Sequence, residues 1–174
     1  VPAWSSVRRS FDVVTTIEPV LIDVGAAGKG LLVDLVAAIL WGHALEQVTS
    51  TTPNDQGLLV ELILRGTSDA AVAARMGVTP ELCRLGLDIL SWQKLKARLP
   101  SQLPLGTKVA HKTGTGSRGF MDAGIVWKDD RPLFILTAYT DHVPTALPDG
   151  TPGFTAANTL IGRMARVAYD ALAG

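Results

Sequence analysis

The chain has a single cysteine, Cys83, among its 174 residues. That excludes an internal disulfide and a zinc site built on cysteines. Its three histidines, His43, His111 and His142, are scattered, with no pair at helical spacing and no cysteine beside them, so no metal centre is expected. Charge is scarce as well: Asp, Glu, Lys and Arg make up 18% of the chain, and sixteen basic residues cancel sixteen acidic ones. A protein that coats nucleic acid carries a basic excess, so that class is excluded. Long apolar runs are missing too. The longest, Leu31 to Trp41, contains Asp34 and reaches about half the length of a bilayer span. The opening residues VPAWSSVRRS show no basic start followed by an apolar run, so the sequence carries no signal peptide pattern.

What is present is enough for a core. Hydrophobic residues make up 47% of the chain and the mean hydropathy is +0.27, which excludes whole-chain disorder. The length suits one domain, residues 1–174, that buries roughly 70% of its unfolded surface. Charge is divided unevenly: residues 1–87 carry a net of −3 and residues 88–174 a net of +3. Between Ile89 and Met121 stand Lys94, Lys96, Arg98, Lys108, Lys112 and Arg118, with no acid. Two readings stay open: a solvated helix face followed by a loop, or a local positive field that attracts a carboxylate ligand.

Val13 to Val24 reads as a strand interrupted by Pro19, followed by the glycine-rich turn Gly25 to Gly30 and a buried helix over Leu31 to Leu45. Thr51-Thr52-Pro53 is a helix start with Asp55 near its positive end, and that helix stops at Gly66. Thr79-Pro80-Glu81 repeats the start signal for a helix expected to run from Leu82 to Leu99. The period then changes to two. Thr107 to Thr113, Ala123 to Trp127 and Leu133 to Tyr139 read as strands, with Lys128-Asp129-Asp130-Arg131 as a tight turn between the last two. A proline-rich loop, Pro144 to Gly153, leads to a closing helix over Thr155 to Ala173. Trp41, Trp92 and Trp127 are expected on buried or partly buried faces. The order gives an α+β layered fold.

The strongest chemical signal is His111-Lys112-Thr113-Gly114-Thr115-Gly116 at the end of a predicted strand. A lysine ammonium attracts an anion, a threonine hydroxyl donates to a carboxylate, and glycines let a ligand approach the strand edge. His111 alternates to the face opposite Lys112 and reads as packing or surface.

In this context the chain resembles the serine β-lactamase and penicillin-binding family, in its class A-like branch, whose motifs are S-x-x-K, S-D-N and K-T-G. The resemblance runs from about Thr51 to Gly174 through "TTPNDQGLLVELILRG", "TPELCRLGLDILSWQKLKARLPSQLPLGTKVAHKTGTG", "MDAGIVWKDDRPLFILTAYT" and "FTAANTLIGRMARVAYDAL". It implies a β-lactamase-like α+β fold, with residues 1–50 atypical or shortened, and a serine hydrolase that opens β-lactams or related amides through an acyl-enzyme. It further implies that Lys112 supplies positive potential, Thr113 binds the substrate carboxylate, and the Thr115 N–H joins an oxyanion hole. Gly114 and Gly116 would keep the strand edge open. The ligand would be a small carboxylate-bearing molecule, with no cofactor, no nucleic acid and no membrane span. The setting would be periplasmic or secreted, and a second copy would complete the fold by self-association.

Two of the three motifs do not appear. Only Lys94 has a serine three residues before it, Ser91, in a segment that the resemblance assigns to scaffold. Ser6 is followed by Arg9, which stays protonated and cannot act as a base. At the S-D-N position stands Val24-Gly25-Ala26 or Gly25-Ala26-Ala27, and Glu18-Pro19 echoes the Ω-loop glutamate from the wrong side of it. Three explanations remain open: the carboxyl-terminal part of a longer enzyme, an inactive relative that keeps the ligand-binding edge, or a shortened version. Beside them stand a non-catalytic binding domain and a nucleotide or S-adenosylmethionine site on Gly25 to Gly30. The last fails the P-loop and G-x-G-x-x-G spacings, since Asp23, Gly30 and Val33 stand where those patterns need other residues.

Overall fold

Threonine caps, a change of hydrophobic period and a two-residue turn set the order of elements. A computed structural model describes Val20–Ile22 and residues 49–174. Glu18, the glycine-rich turn Gly25 to Gly30, the candidate S-D-N position, the Leu31 to Leu45 helix, Trp41 and His43 lie outside the described residues. Strand β1 (Val20–Ile22) pairs antiparallel with β2 (Thr49–Thr51). Three helices follow, α1 (Pro53–Gly66), α2 (Ala70–Arg75) and α3 (Pro80–Ser91), then a 3-10 turn at Leu99–Gln102. Strands β3 (Val109–Thr115), β4 (Phe120–Lys128) and β5 (Arg131–Thr140) form an antiparallel sheet in that order, and α4 (Gly153–Leu172) closes the chain.

Helix α1 starts on a capping box: the Thr52 hydroxyl accepts from the Asp55 N–H at 3.2 Å, and the Asp55 carboxylate accepts from the Thr52 N–H at 3.0 Å. Thr79 caps α3 with its hydroxyl alone, which accepts from the Leu82 N–H at 3.4 Å. A helix is added here and two expectations are corrected. Asp69 caps a short helix, α2, that hydrophobic period does not reveal. Helix α3 ends at Ser91 rather than continuing to Leu99. Beyond Leu90 its apolar side chains find no core: Trp92 and Leu95 are each 63% exposed, so packing no longer supports further turns. The same exposure overturns the expected burial of Trp92, whereas Trp127 is buried as expected.

The sheet has a core on each face. On one face, Val126, Phe134, Leu136 and Ala138 pack with Leu99 of the 3-10 turn and with Ile161, Ala165 and Ala168 of α4. On the other, Ala110, Ile125 and Trp127 pack with Val60 of α1 and Leu90 of α3. Close approaches fix these layers. A Cβ at Gly162 of α4 would lie 2.1 Å from Ser101 Oγ, so glycine is needed where α4 crosses the 3-10 turn. A Cβ at Gly124 would lie 2.4 Å from the His111 Cβ, so the strand neighbour opposite His111 has no room for a side chain.

Candidate functional site

Backbone parity decides what the KTG strand offers a ligand. The Gly116 N–H donates to the Gly119 carbonyl at 2.9 Å and the Trp127 N–H to the Lys108 carbonyl at 3.0 Å. With the β3–β4 register, this places the even-numbered residues of β3 in hydrogen-bonded pairs with β4. The N–H and C=O groups of His111, Thr113 and Thr115 therefore face away from β4. Among the described strands β3 is the edge of its sheet, so these groups line the open edge. The Thr115 N–H, expected as an oxyanion donor, thus points outward from the sheet.

Side chains alternate across that edge. Lys112 and Gly114 share the face of Ala123 and Met121, which turns toward α1 and α3. The Lys112 ammonium folds back and donates to the Thr113 carbonyl. Desolvation there holds its pKa below the ordinary lysine value; Asp122 pulls it back up and Arg98 pushes it further down. A Cβ at Gly114 would meet only Met121, at 3.5 Å, and one at Gly116 would have nothing nearer than 3.9 Å, so both positions leave the strand end open.

His111, Thr113 and Thr115 share the other face, with Asp122 beneath them. Thr113 is buried, while Thr115 is exposed. His111 is also buried, and its Nδ1 lies 2.8 Å from Asp122 Oδ1. The second Asp122 oxygen accepts the Leu99 N–H at 3.0 Å. Packing or surface was the expected role for His111; it is buried, and its acidic partner was not expected.

The residue most clearly missed is Arg98. Its Nη1 donates to the Gly114 carbonyl at 2.6 Å and the Met121 carbonyl at 2.7 Å. Nη2 donates to Thr115 Oγ1 at 2.6 Å, and Nε donates to Asn158 Oδ1 of α4 at 2.9 Å. The guanidinium also lies 5.5 Å from the Phe120 ring centroid. Burial lowers its pKa and Asp122 raises it, yet an arginine stays charged. In sequence Arg98 was one of six cations in an acid-free stretch, and only its position beside the 3-10 turn separates it from the exposed Lys94 and Lys96. The stretch is therefore neither of its two readings alone: part is solvated chain, and Arg98 is an internal brace.

Ser91 and Lys94 do not form an S-x-x-K pair on one helical face. Ser91 is the last residue of α3, its hydroxyl donates to the Asp88 carbonyl at 2.6 Å, and Lys94 lies past the helix end. No group of three or more metal-binding side chains occurs among the described residues, and no described helix is long and apolar enough to cross a membrane.

Known structures share this fold. A β-lactamase from Sphaerobacter thermophilus superposes with a TM-score of 0.57 at 22% identity, covering 75% of this chain and 44% of that one. A structure of PBP-A gives 0.55 at 23% identity, over 71% of this chain and 40% of that one. A mutant PBP-A, described as an acyl-enzyme complex with penicillin G, gives 0.57 at 19% identity, over 98% and 52%. The chain thus spans about half the length of the structures it matches or less. Comparison with curated protein sequences gives no significant match. A model of the beta-lactamase enzyme family matches residues 16–172, nearly the whole sequence, and the chain belongs to that family.

Proposed function

We propose that Lys112 to Gly116 is the ligand-binding wall of a serine acyl-transfer site for β-lactams or related carboxylate-bearing amides. The observation that carries this reading is the open edge of β3, where the Thr113 and Thr115 N–H groups face outward beside the Lys112 ammonium. Lys112 supplies the positive potential that draws the ligand carboxylate. Thr113 donates its hydroxyl to the same carboxylate. The Thr115 N–H points at the carbonyl oxygen on which negative charge develops, a role in which one donor is worth roughly 10²–10³ in rate. The setting is secreted or periplasmic, and the nucleophile comes from outside the described residues or from a second chain. The penicillin G acyl-enzyme complex of the PBP-A mutant supports the ligand class.

A second reading, a binding relative without turnover, is favoured by Ser91, whose hydroxyl is turned back onto its own helix. One experiment addresses both. Penicillin G titrated into the isotopically labelled chain is expected to shift the Thr115 and Gly114 amide resonances, and Lys112→Ala to abolish the shift. A covalent adduct by mass spectrometry with hydrolysis of a chromogenic cephalosporin supports the acyl-transfer site, and the amide shifts without either support the binding relative. Absence of any amide shift sinks the binding wall. Turnover that disappears on Ser91→Ala would show the nucleophile to lie in the described part after all.

A further inference from the structure

The turn that ends the KTG strand is fastened to a loop far along the chain, and a single side chain makes most of that fastening. Arg118 lies in the β3–β4 turn, which the Gly116 N–H closes on the Gly119 carbonyl at 2.9 Å. Its Nε donates to the Val143 carbonyl at 3.0 Å and its Nη2 to the His142 carbonyl at 2.8 Å. Its own carbonyl accepts the Val143 N–H at 3.0 Å. Both backbone polar groups of Val143 are thus held by one residue.

The segment Arg118 grips is shaped to be gripped. His142 has φ of 51°, a left-handed conformation that a non-glycine residue adopts only at a cost. The Asp141 carboxylate supports it, accepting the His142 N–H at 2.7 Å and facing its Nδ1 at 3.0 Å. From Val143 the chain enters Pro144, whose carbonyl passes so near Gly153 that an added Cβ would lie 1.7 Å from it. Gly153 opens α4, and α4 carries Asn158, the acceptor of Arg98. Arg98 in turn holds the Gly114 carbonyl and the Thr115 hydroxyl. The contacts form a closed ring: strand end, turn, Arg118, the segment after β5, α4, Arg98, and back to the strand end.

We infer that Arg118 is a positioning residue that closes this ring and so fixes the Thr115–Gly116 end of the candidate site against the segment after β5. Its role rests on the binding wall proposed above but is separable from it. A guanidinium spans two successive carbonyls as a fork, which a lysine ammonium does not reproduce. The test compares the intact chain with Arg118→Gln and Arg118→Lys, by amide hydrogen exchange and by penicillin G titration. In Arg118→Gln the Gly116 and Val143 amides are expected to exchange at least tenfold faster while Ile125 is unchanged and thermal stability falls by no more than a degree or two. Penicillin G affinity is expected to fall several-fold, with Arg118→Lys intermediate in both. If Val143 opens while Gly116 exchange is unchanged, the ring does not hold the site end and the inference is overturned. Affinity that stays within twofold despite faster Gly116 exchange overturns it equally. If the unaltered chain binds no penicillin G, the proposed function fails, and the Gly116 exchange alone then decides whether Arg118 positions the strand end.

Discussion

At one end of the sheet, β4 returns to β5 through Asp129 and Asp130, whose φ angles of 50° and 58° match the twist of the strands they join. At the other end, β3 returns to β4 through Ser117 and Arg118, and there the structure adds contacts from afar. Arg98 reaches the Gly114 and Met121 carbonyls, Arg118 reaches His142 and Val143, and Asp122 takes up His111 and the Leu99 N–H. The first turn rests mainly on its own backbone, with one reach from afar, the Lys128 ammonium donating to the Ala173 carbonyl past the end of α4. The second is secured by residues between 11 and 25 positions away, with Asn158 a further 60 from Arg98. A strand edge that must present N–H groups to a ligand cannot use those groups to hold itself in place. Its rigidity comes instead from the groups that point the other way.

The sharpest way to break this comparison is to remove Arg98. Arg98→Met keeps the apolar stem and deletes the guanidinium, leaving the Gly114 and Met121 carbonyls, the Thr115 hydroxyl and the Asn158 amide oxygen without their charged donor. The expected loss is about 3–5 kcal/mol in urea unfolding, the range for breaking a buried charged network from one side. A loss under about 1 kcal/mol would mean that the two ends are held alike.

The same contrast explains what could be read in advance. Thr52 and Thr79 cap helices through groups three residues away, and Lys128 to Arg131 turns on two residues, so each was legible as a local pattern. The KTG residues were legible as a motif, and their alternation followed from strand period. Arg98 was not legible, because nothing within ten residues distinguishes it from Lys94 or Lys96; its burial exists only once the 3-10 turn meets Asp122 and α4. The end of α3 was misplaced for a related reason. Its apolar period continues through Trp92 and Leu95, but whether a core receives those side chains is a tertiary fact. His111 shows the mixed case: strand alternation placed its face, and only the folded chain supplied Asp122.

Asn158 gives a smaller and more selective test. It reaches Arg98 from α4, one acceptor among the four that the guanidinium satisfies. Asn158→Ala is expected to cost about 1–2 kcal/mol, the worth of one charge-assisted hydrogen bond in a partly buried place. Combined with Arg98→Met it should add little, because both changes remove the same contact. A fully additive double variant in the same unfolding assay would show that α4 supports the strand end by some other route.

The opposite end of the sheet should respond in the other direction, and by least. Asp130 holds a left-handed conformation in which its Cβ crowds the following carbonyl, a strain of about 1 kcal/mol that glycine does not have. Glycine in turn loses more backbone freedom on folding, roughly 0.5–1 kcal/mol, which offsets part of the relief. The Asp-Gly pair is nevertheless among the most favoured for this turn. Asp130→Gly is therefore expected to stabilise the chain slightly, raising its melting temperature by about 1–2 °C. It should leave Gly116 exchange and penicillin G titration unchanged, since the long-range bond at this turn, from the Lys128 ammonium to the Ala173 carbonyl, runs to the end of α4 and not to the KTG end. A shift at Gly116 on Asp130→Gly would mean that the sheet transmits changes along its strands, and the two ends could no longer be treated as separately secured.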